Sequence, residues 1–321
     1  MIKQTFDSLQ QIKFRRKASG AAWSIIRLLI LLGVSYVILY PLFSKIVLLF
    51  MDKADLIDPT VKWVPRHVTL ENIDILIKII DYFPNLLRSL AVSLIMAILQ
   101  VISCTLTAYG FSRFRFHGRN ILFGLVIATL LVPPQVYIVP LYTQFKDFDI
   151  FNIFKTIFPD YSGVILDTLW PFVVLSATGM GIRAGLSIYV LRQSLLALPR
   201  ELDEAAKVDG AGAFRTFLQV IIPNASSTIL LIFLLSFIWQ WNDTTYIGFF
   251  APAFDTMAQI LSNLSTTVVV FFGDAMYKGS TEYINMLSSG GLLLGTIPII
   301  LVFIFCQKGF VQGIERSGLV G

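Results

Sequence analysis

Six long apolar segments constrain this chain more than any other feature of its sequence. They cover residues 23–50, 85–112, 119–142, 164–198, 224–250 and 287–311. A helix needs about 20 mostly apolar residues to cross the hydrocarbon core of a bilayer. Because backbone groups in lipid must be hydrogen-bonded within the protein, these segments predict an all-α membrane protein with six transmembrane helices.

The composition supports this class. Of 321 residues, 56% are hydrophobic and 14% are charged, with a mean hydropathy of +0.75. A soluble domain carries about 25% charged residues, so much of this surface must face lipid. Residues 1–22 are too long and too polar for a simple signal peptide, and the apolar run that follows lacks a clear cleavage site. We therefore expect a cytoplasmic N-terminal segment, 1–22, before a transmembrane domain, 23–321.

Basic residues predict the orientation of the spans. They concentrate in the N-terminal segment, the connectors after the second and fourth spans, and the tail. These residues are Lys3, Lys13, Arg15, Arg16, Lys17, Arg27, Arg113, Arg115, Arg119, Arg192, Arg200, Lys207, Arg215, Lys308 and Arg316. The other connectors, 51–84, 143–163 and 243–286, contain more acidic than basic residues. Cytoplasmic loops are enriched in Lys and Arg, which predicts that both termini lie inside a bacterial cytoplasmic membrane.

A shorter apolar segment, 256–273, carries several amide and hydroxyl side chains. We expect a helix or a re-entrant piece on the outer face rather than a seventh span. A seventh span would move Lys308 and Arg316 outside, against the charge rule.

The cytoplasmic loop 191–225 is amphipathic. Pro199 ends one helix, and Glu201, Asp203 and Glu204 occupy the first turn of the next, where carboxylates favour the helix dipole. Glycines then permit a sharp turn. The loop therefore predicts a helix, a glycine turn and a second helix along the membrane surface. On amphipathicity alone, an ordinary surface helix is the alternative interpretation.

The spacing within this loop resembles the EAA loop of ABC-importer permeases. That pattern is Glu-Ala-Ala, three residues, Gly, nine residues and Ile-x-Leu-Pro. This chain has Glu204-Ala205-Ala206, then Gly210, then Val220-x-Ile222-Pro223. In the family this loop is the coupling helix that seats in a groove of the ATPase subunit. The resemblance implies an ATPase-docking site formed by Asp203, Glu204, Ala205, Ala206, Asp209, Gly210 and Pro223.

Other segments resemble the maltose/oligosaccharide branch of these permeases, and the smaller permease of its pair. Residues 108–119 are similar to its AYxxSRxxFxGR connector, Trp241-Asn242-Asp243 to an element near the end of its fifth span, and 307–313 to its QRxFVxG ending. Residues 314–321 keep only part of the family tail. The resemblance implies the ABC type I importer permease fold.

The resemblance also implies partners. These are a second permease, two ATPase domains and an extracellular binding protein that delivers a carbohydrate for transport by alternating access. ATP and Mg²⁺ belong to the ATPase subunits, and this sequence contains no GxxxxGK[ST] motif. The sequence offers no metal-ligand spacing, no catalytic residue set and no nucleic-acid-binding pattern. Cys104 and Cys306 lie in apolar runs, either as separate small residues or as a disulfide.

Arg183 is the first candidate for the solute pathway, because it lies inside the fourth apolar segment. An arginine near the centre of a membrane helix costs about 2.5–3.5 kcal/mol, so it needs a cavity or a partner. It either lines a cavity as a donor to a sugar or bonds the backbone carbonyls of Gly179 or Gly181.

Trp239, Trp241, Asn242 and Asp243 are the second candidates. They lie about 24–30 Å along a helix from Pro223, at about 1.5 Å per residue, so near the outer leaflet. Aromatic faces and polar groups suit a sugar, whereas an interfacial aromatic belt is the alternative interpretation.

Three other functions remain open. The chain could be an ABC permease for a non-sugar solute, although the connector and the Trp-Asn-Asp element favour sugar. A stand-alone secondary transporter requires ion-coupling residues within the spans and usually an internal repeat. A membrane enzyme requires catalytic side chains that this sequence does not group. Pro133-Pro134 is either a gate hinge or a structural kink.

Overall fold

A computed structural model describes residues 2–61, 63–149, 153–157, 162–277 and 281–318. Helices dominate these residues, and one isolated β-bridge pairs Met51 with Val68. The all-α prediction is therefore confirmed.

The helices follow the chain in this order. They are α1 Ile2–Leu49, α2 Lys53–Ile57, α3 Glu71–Ile79, α4 Tyr82–Arg113, α5 Arg119–Ala128, α6 Pro134–Lys146, α7 Ile153–Ile157, α8 Trp170–Ala177, α9 Ala184–Ala197, α10 Glu201–Val208, α11 Ala213–Thr216, α12 Ile222–Asn224, α13 Ser226–Trp241, α14 Thr245–Phe250, α15 Met257–Ser262, α16 Leu264–Tyr277 and α17 Thr281–Gly318. A π-helical turn, Phe217–Ile221, lies between α11 and α12.

Among the described residues, three helices are long and apolar enough to cross a membrane. They are Trp23–Leu49, Tyr82–Arg113 and Thr281–Gly309. A fourth candidate consists of Ala213–Asn224 and Ser226–Trp241, which are bent by 80° at their junction. These segments correspond to the first, second, sixth and fifth predicted spans. The count of six spans stays a prediction.

Each of the predicted spans 119–142 and 164–198 contains two helices. The first is interrupted between α5 and α6, where Pro133 precedes α6 and Pro134 opens it. Proline lacks the backbone N–H that a continuing helix needs, which explains the break. The predicted fifth span, 224–250, also divides, because α13 ends at Trp241 and α14 follows.

Helices α15 and α16 cover most of the segment 256–273, in agreement with its helical interpretation. The Thr256 hydroxyl caps α15 by accepting the Gln259 amide at 3.4 Å. The side of the membrane on which they lie stays a prediction, and residues 278–280 of this connector lie outside the described residues.

The chain divides into two compact units, and the first comprises residues 1–76 and 273–293. Asn72 anchors it by donating to the carbonyls of Leu49 and Met51 at 3.0 and 2.8 Å. In the connector after α1, Asp55 accepts the His67 amide at 2.7 Å, and the His67 ring lies 2.9 Å away. These hydrogen bonds lower the pKa of the Asp55 carboxyl.

The second unit comprises residues 77–272 and 294–321. Helix α4 is central to it, and α8, α9 and α13 pack against α4. One apolar cluster joins α4, α9, the π-helical turn and α13 around Leu191, Leu195, Ile221 and Ile232, all fully buried. Cys104 belongs to this cluster, and both Cys104 and Cys306 are free thiols, so the disulfide alternative was wrong.

Candidate coupling loop and solute pathway

The loop 191–225 folds as a helix, a turn and a second helix. Helix α10 begins with acidic residues in its first turn and ends at Val208. Gly210 follows with φ +76°, a left-handed conformation that glycine adopts without steric cost. A Cβ at Gly210 would meet no atom within 4 Å, so the backbone angle alone requires glycine there.

Four of the predicted docking residues form an open surface. Glu204 and Ala205 on α10 are exposed, as are Asp209 and Gly210 in the turn. Val208, on the same helix, is 88% exposed. We call Glu204, Ala205, Val208, Asp209 and Gly210 the α10 surface.

The other three predicted residues have different positions. Ala206 is buried and holds α10 against the rest of the unit. Pro223 lies at the start of α12, beside the 80° bend that leads into α13. Asp203 points to the C-terminal end of α4, where it meets Arg113.

The Arg113–Asp203 pair joins α10 to α4. Arg113 Nε lies 3.2 Å from Asp203 Oδ2, and the two side chains are 8% and 15% exposed. Arg113 Nη2 also donates to the Leu198 carbonyl at 3.1 Å, which ties the end of α9 to the same guanidinium. The sequence accounted for Arg113 only as part of a basic connector. Opposite charges at the edges of the connectors after the second and fourth predicted spans were the available signal.

An aromatic contact reinforces this junction. The Tyr109 ring on α4 lies 4.8 Å from the Phe217 ring, which opens the π-helical turn. The loop 191–225 therefore contacts α4 through an ion pair and through an aromatic pair.

The fourth predicted span unwinds between α8 and α9, at residues 178–183, which we call the span-four break. Gly179 and Arg183 adopt left-handed backbone angles, with φ of +72° and +54°. Residues of α4 satisfy the freed backbone groups: Ser103 Oγ donates to Ser176 O at 2.6 Å, and Gln100 Nε2 donates to Ile182 O at 2.8 Å. Irregular backbone at membrane depth is tolerated where protein buries it or where it lines a water-filled cavity.

Gln100 and Ser103 were missed by the sequence interpretation. They are polar residues three positions apart in an apolar helix, so they share one helical face. Gln100 Oε1 is buried without a hydrogen-bond partner in the described structure, and a Cβ at Gly181 would lie 2.6 Å from it. The Gln100 carboxamide therefore packs directly on the break.

The break brings together two of the predicted pathway residues. The exposed Arg183 guanidinium lies over the Trp239 ring of α13, 5.1 Å from its centroid. Such a contact is a cation–π interaction. Its described contact is thus with an aromatic ring, whereas the second interpretation placed it on the carbonyls of Gly179 or Gly181.

The remaining candidates lie apart from this pair. Trp241 is buried, and its Nε1 donates to Gly295 O at 3.2 Å, so the ring is not part of an aromatic belt. Asp243 is buried and accepts the amides of Thr245, Tyr246 and Ile247, each at 3.1 Å, which caps α14. Asn242 is exposed and donates to the Ile238 carbonyl.

Residues 101–317 match the family model described as "Binding-protein-dependent transport system inner membrane component". The chain belongs to this family. It is a membrane permease of a binding-protein-dependent ABC transport system, and the matched region contains the α10 surface, the span-four break and the bent α12–α13 junction.

Two bacterial relatives match along nearly the whole permease. Both are named "sn-glycerol-3-phosphate transport system permease protein UgpE", from Escherichia coli O1:K1 / APEC and from Salmonella typhi. Each is 26% identical over 296 residues, which are 90% of this chain and 94% of the relative.

A solved structure shares the fold of this permease. It is the "Crystal structure of a bacterial ABC transporter involved in the import of the acidic polysaccharide alginate". The matched chain has a TM-score of 0.69 at 18% identity, covering 90% of this chain and 97% of that chain. The type I importer permease fold is therefore confirmed.

Proposed function

We propose that this permease imports a carbohydrate and that its α10 surface docks an ATPase subunit. The observation that carries the docking proposal is the α10 surface itself. It combines an exposed carboxylate at Glu204, a small residue at Ala205 that allows close approach, and an exposed apolar side chain at Val208. ATP and Mg²⁺ then bind the ATPase subunits, and this chain contributes no nucleotide site.

The Arg113–Asp203 pair transmits movement in this proposal. When the ATPase subunits close, they shift α10, and the buried ion pair passes that shift to α4. Because α8, α9 and α13 pack on α4, the movement reaches the span-four break. The remaining partners are a second permease and an external solute-binding protein, with both termini of this chain cytoplasmic.

The span-four break supplies the solute contact in this proposal. Trp239 offers an aromatic face on which a sugar ring stacks, and Arg183 offers several donors to hydroxyl or anionic groups. The relative is named for the transport of sn-glycerol-3-phosphate, and the structural neighbour is involved in the import of the acidic polysaccharide alginate. Both solutes are anionic, which supports a carbohydrate-derived solute with an anionic group.

A cysteine at Ala205 tests the docking proposal. The variant Ala205→Cys, in a background with Cys104→Ala and Cys306→Ala, is purified in mild detergent with candidate ATPases and treated with a thiol cross-linker. We expect a cross-link to an ATPase that changes with nucleotide. Ile57→Cys is the matched control, since this residue is 73% exposed in the predicted outer connector and should not cross-link.

Uptake by the same assembly separates the alternatives. We expect uptake of labelled carbohydrate that requires ATP and the binding protein. Uptake of a peptide or amine instead would make the chain a non-sugar permease. Uptake without ATP, together with no cross-link at Ala205→Cys, would favour a secondary transporter.

A further inference from the structure

A basic cavity lies beside the connector between α4 and α5. Its volume is about 550 Å³. It is lined by Arg115, Phe116, His117, Gly118, Arg119, Asn120, Ile121 and Arg200. Three arginines and a histidine share this cavity, and its lining residues include no carboxylate. The nearest acid in sequence, Glu201, is exposed on α10 and is not a lining residue.

Among the described residues, no carboxylate forms an ion pair with an arginine of this basic cavity. Arg119 Nη1 donates to the Phe114 carbonyl at 3.3 Å, a neutral acceptor. The ion pairs of the described residues do not include Arg115, Arg119 or Arg200. The cavity therefore presents an unbalanced positive charge, which favours an anionic ligand.

An apolar surface adjoins the basic cavity. Helix α5, which starts at Arg119, has no buried side chain, and Ile121 and Leu125 are 73% and 59% exposed. Positive charge at the end of an exposed apolar helix matches the two parts of an anionic phospholipid, its phosphodiester and its acyl chains. An acidic protein surface would match the charge alone, so the apolar helix favours lipid.

We propose that the basic cavity binds the phosphodiester headgroup of an anionic phospholipid, with the acyl chains along α5. The proposal depends on the membrane location of the chain and not on its solute. Arg200 directly precedes α10, so the bound headgroup bridges the α4–α5 connector and the start of the coupling helix. A bound lipid would therefore contact the loop that contains α10.

The test is lipid retention by the full-length chain in its purified transporter. After delipidation, the transporter is titrated with phosphatidylglycerol, and native mass spectrometry counts the bound molecules. The double variant Arg115→Gln/Arg200→Gln should retain one phosphatidylglycerol about 25-fold more weakly, because each arginine near an anionic surface contributes about fivefold. Arg27→Gln is the matched control; it removes an arginine that does not line the cavity and should retain lipid like the wild type.

A double lysine variant distinguishes loss of charge from misfolding. Arg115→Lys/Arg200→Lys keeps both charges and should retain most of the binding. The proposal is overturned if the glutamine pair binds phosphatidylglycerol normally, or if phosphatidylcholine shows the same dependence on the arginines. Displacement of the lipid by an equal concentration of inorganic phosphate would identify a free-anion site instead. If the glutamine pair loses the ATPase subunits but still retains lipid, the arginines form a protein-docking surface and the lipid proposal is overturned.

Discussion

Arg183 concentrates strain and charge at one position of the fourth apolar segment. Its left-handed backbone costs a residue other than glycine about 1–2 kcal/mol, which the surrounding packing must offset. Its guanidinium remains exposed and lies over Trp239 rather than in an ion pair. Backbone strain of this kind clusters at functional sites, so the outlier supports a role in solute contact.

Replacing Arg183 should weaken solute binding. In Arg183→Gln we expect the half-saturating solute concentration for uptake to rise about 10- to 100-fold, because a hydrogen bond to a charged group contributes about 1.5–3 kcal/mol. Arg183→Lys keeps the charge but lacks the planar guanidinium, so its half-saturating concentration should lie between those of the wild type and Arg183→Gln. Initial uptake rates against solute concentration provide the measurement.

Arg88→Gln provides the matched control for this prediction. Arg88 also lies over an aromatic ring, 5.5 Å from the centroid of Phe254, but away from the span-four break. Its half-saturating concentration should match the wild type. If Arg183→Gln lowers only the maximal rate and leaves half-saturation unchanged, Arg183 does not contact the solute.

The Trp-Gln-Trp-Asn-Asp run shows that residues close together in sequence can face different parts of the protein. Residues two positions apart on a helix point about 200° apart, at about 3.6 residues per turn. Trp239 therefore faces Arg183, whereas Trp241 is buried against Gly295. Asp243 follows the end of α13 and caps α14. The local motif therefore does not determine which side each of its residues faces.

At the scale of elements, the junction between α10 and α4 carries the next prediction. Removing one partner of a buried ion pair costs about 3–5 kcal/mol, because the other charge remains buried and unpaired. Arg113→Gln and Asp203→Asn should therefore loosen α10 from α4. We expect ATP hydrolysis to continue while solute taken up per ATP falls, measured together in proteoliposomes.

Two further variants test whether loss of the ion pair itself lowers the uptake per ATP. Reversing the pair, Arg113→Asp with Asp203→Arg, should recover part of the uptake per ATP. Lys207→Gln removes an exposed charge from the same helix and should leave that ratio unchanged. A proportional loss of hydrolysis and uptake in the Arg113 and Asp203 variants would mean that the pair serves assembly alone.

The loop and the spans differed in how well the sequence predicted them. The helix–turn–helix of the loop 191–225 followed from local signals, namely first-turn acids and a glycine that adopts positive φ. The span-four break did not, because an apolar run predicts length and not continuity. Its unwound backbone is stabilised by Gln100 and Ser103 of α4, which lie far away in sequence. Such tertiary hydrogen bonds leave no periodic signal in the interrupted segment.

At the scale of the whole molecule, the first helix presents a long exposed apolar surface. Side chains from Trp23 through Phe43 on α1 are all exposed, and most are large and apolar. Such a surface requires lipid or a partner subunit around it. Hydropathy anticipated the helix, whereas its neighbours cannot be read from one chain, because they depend on the sequences of other subunits.

The orientation of the whole molecule provides the last prediction. Basic residues cluster in the connectors after the second and fourth spans, and cytoplasmic loops carry this excess because positive charge resists translocation. In a background without Cys104 and Cys306, Val208→Cys should react with a membrane-impermeant maleimide only after cells are opened. Ile57→Cys should react in intact cells, and both positions are exposed enough to be labelled, at 88% and 73%. Labelling of both from the same side would contradict the six-span arrangement, because three predicted spans, 85–112, 119–142 and 164–198, separate these residues. Labelling of Val208→Cys alone in intact cells would keep the parity of the spans and reverse the orientation, which would move the α10 surface away from any cytoplasmic ATPase.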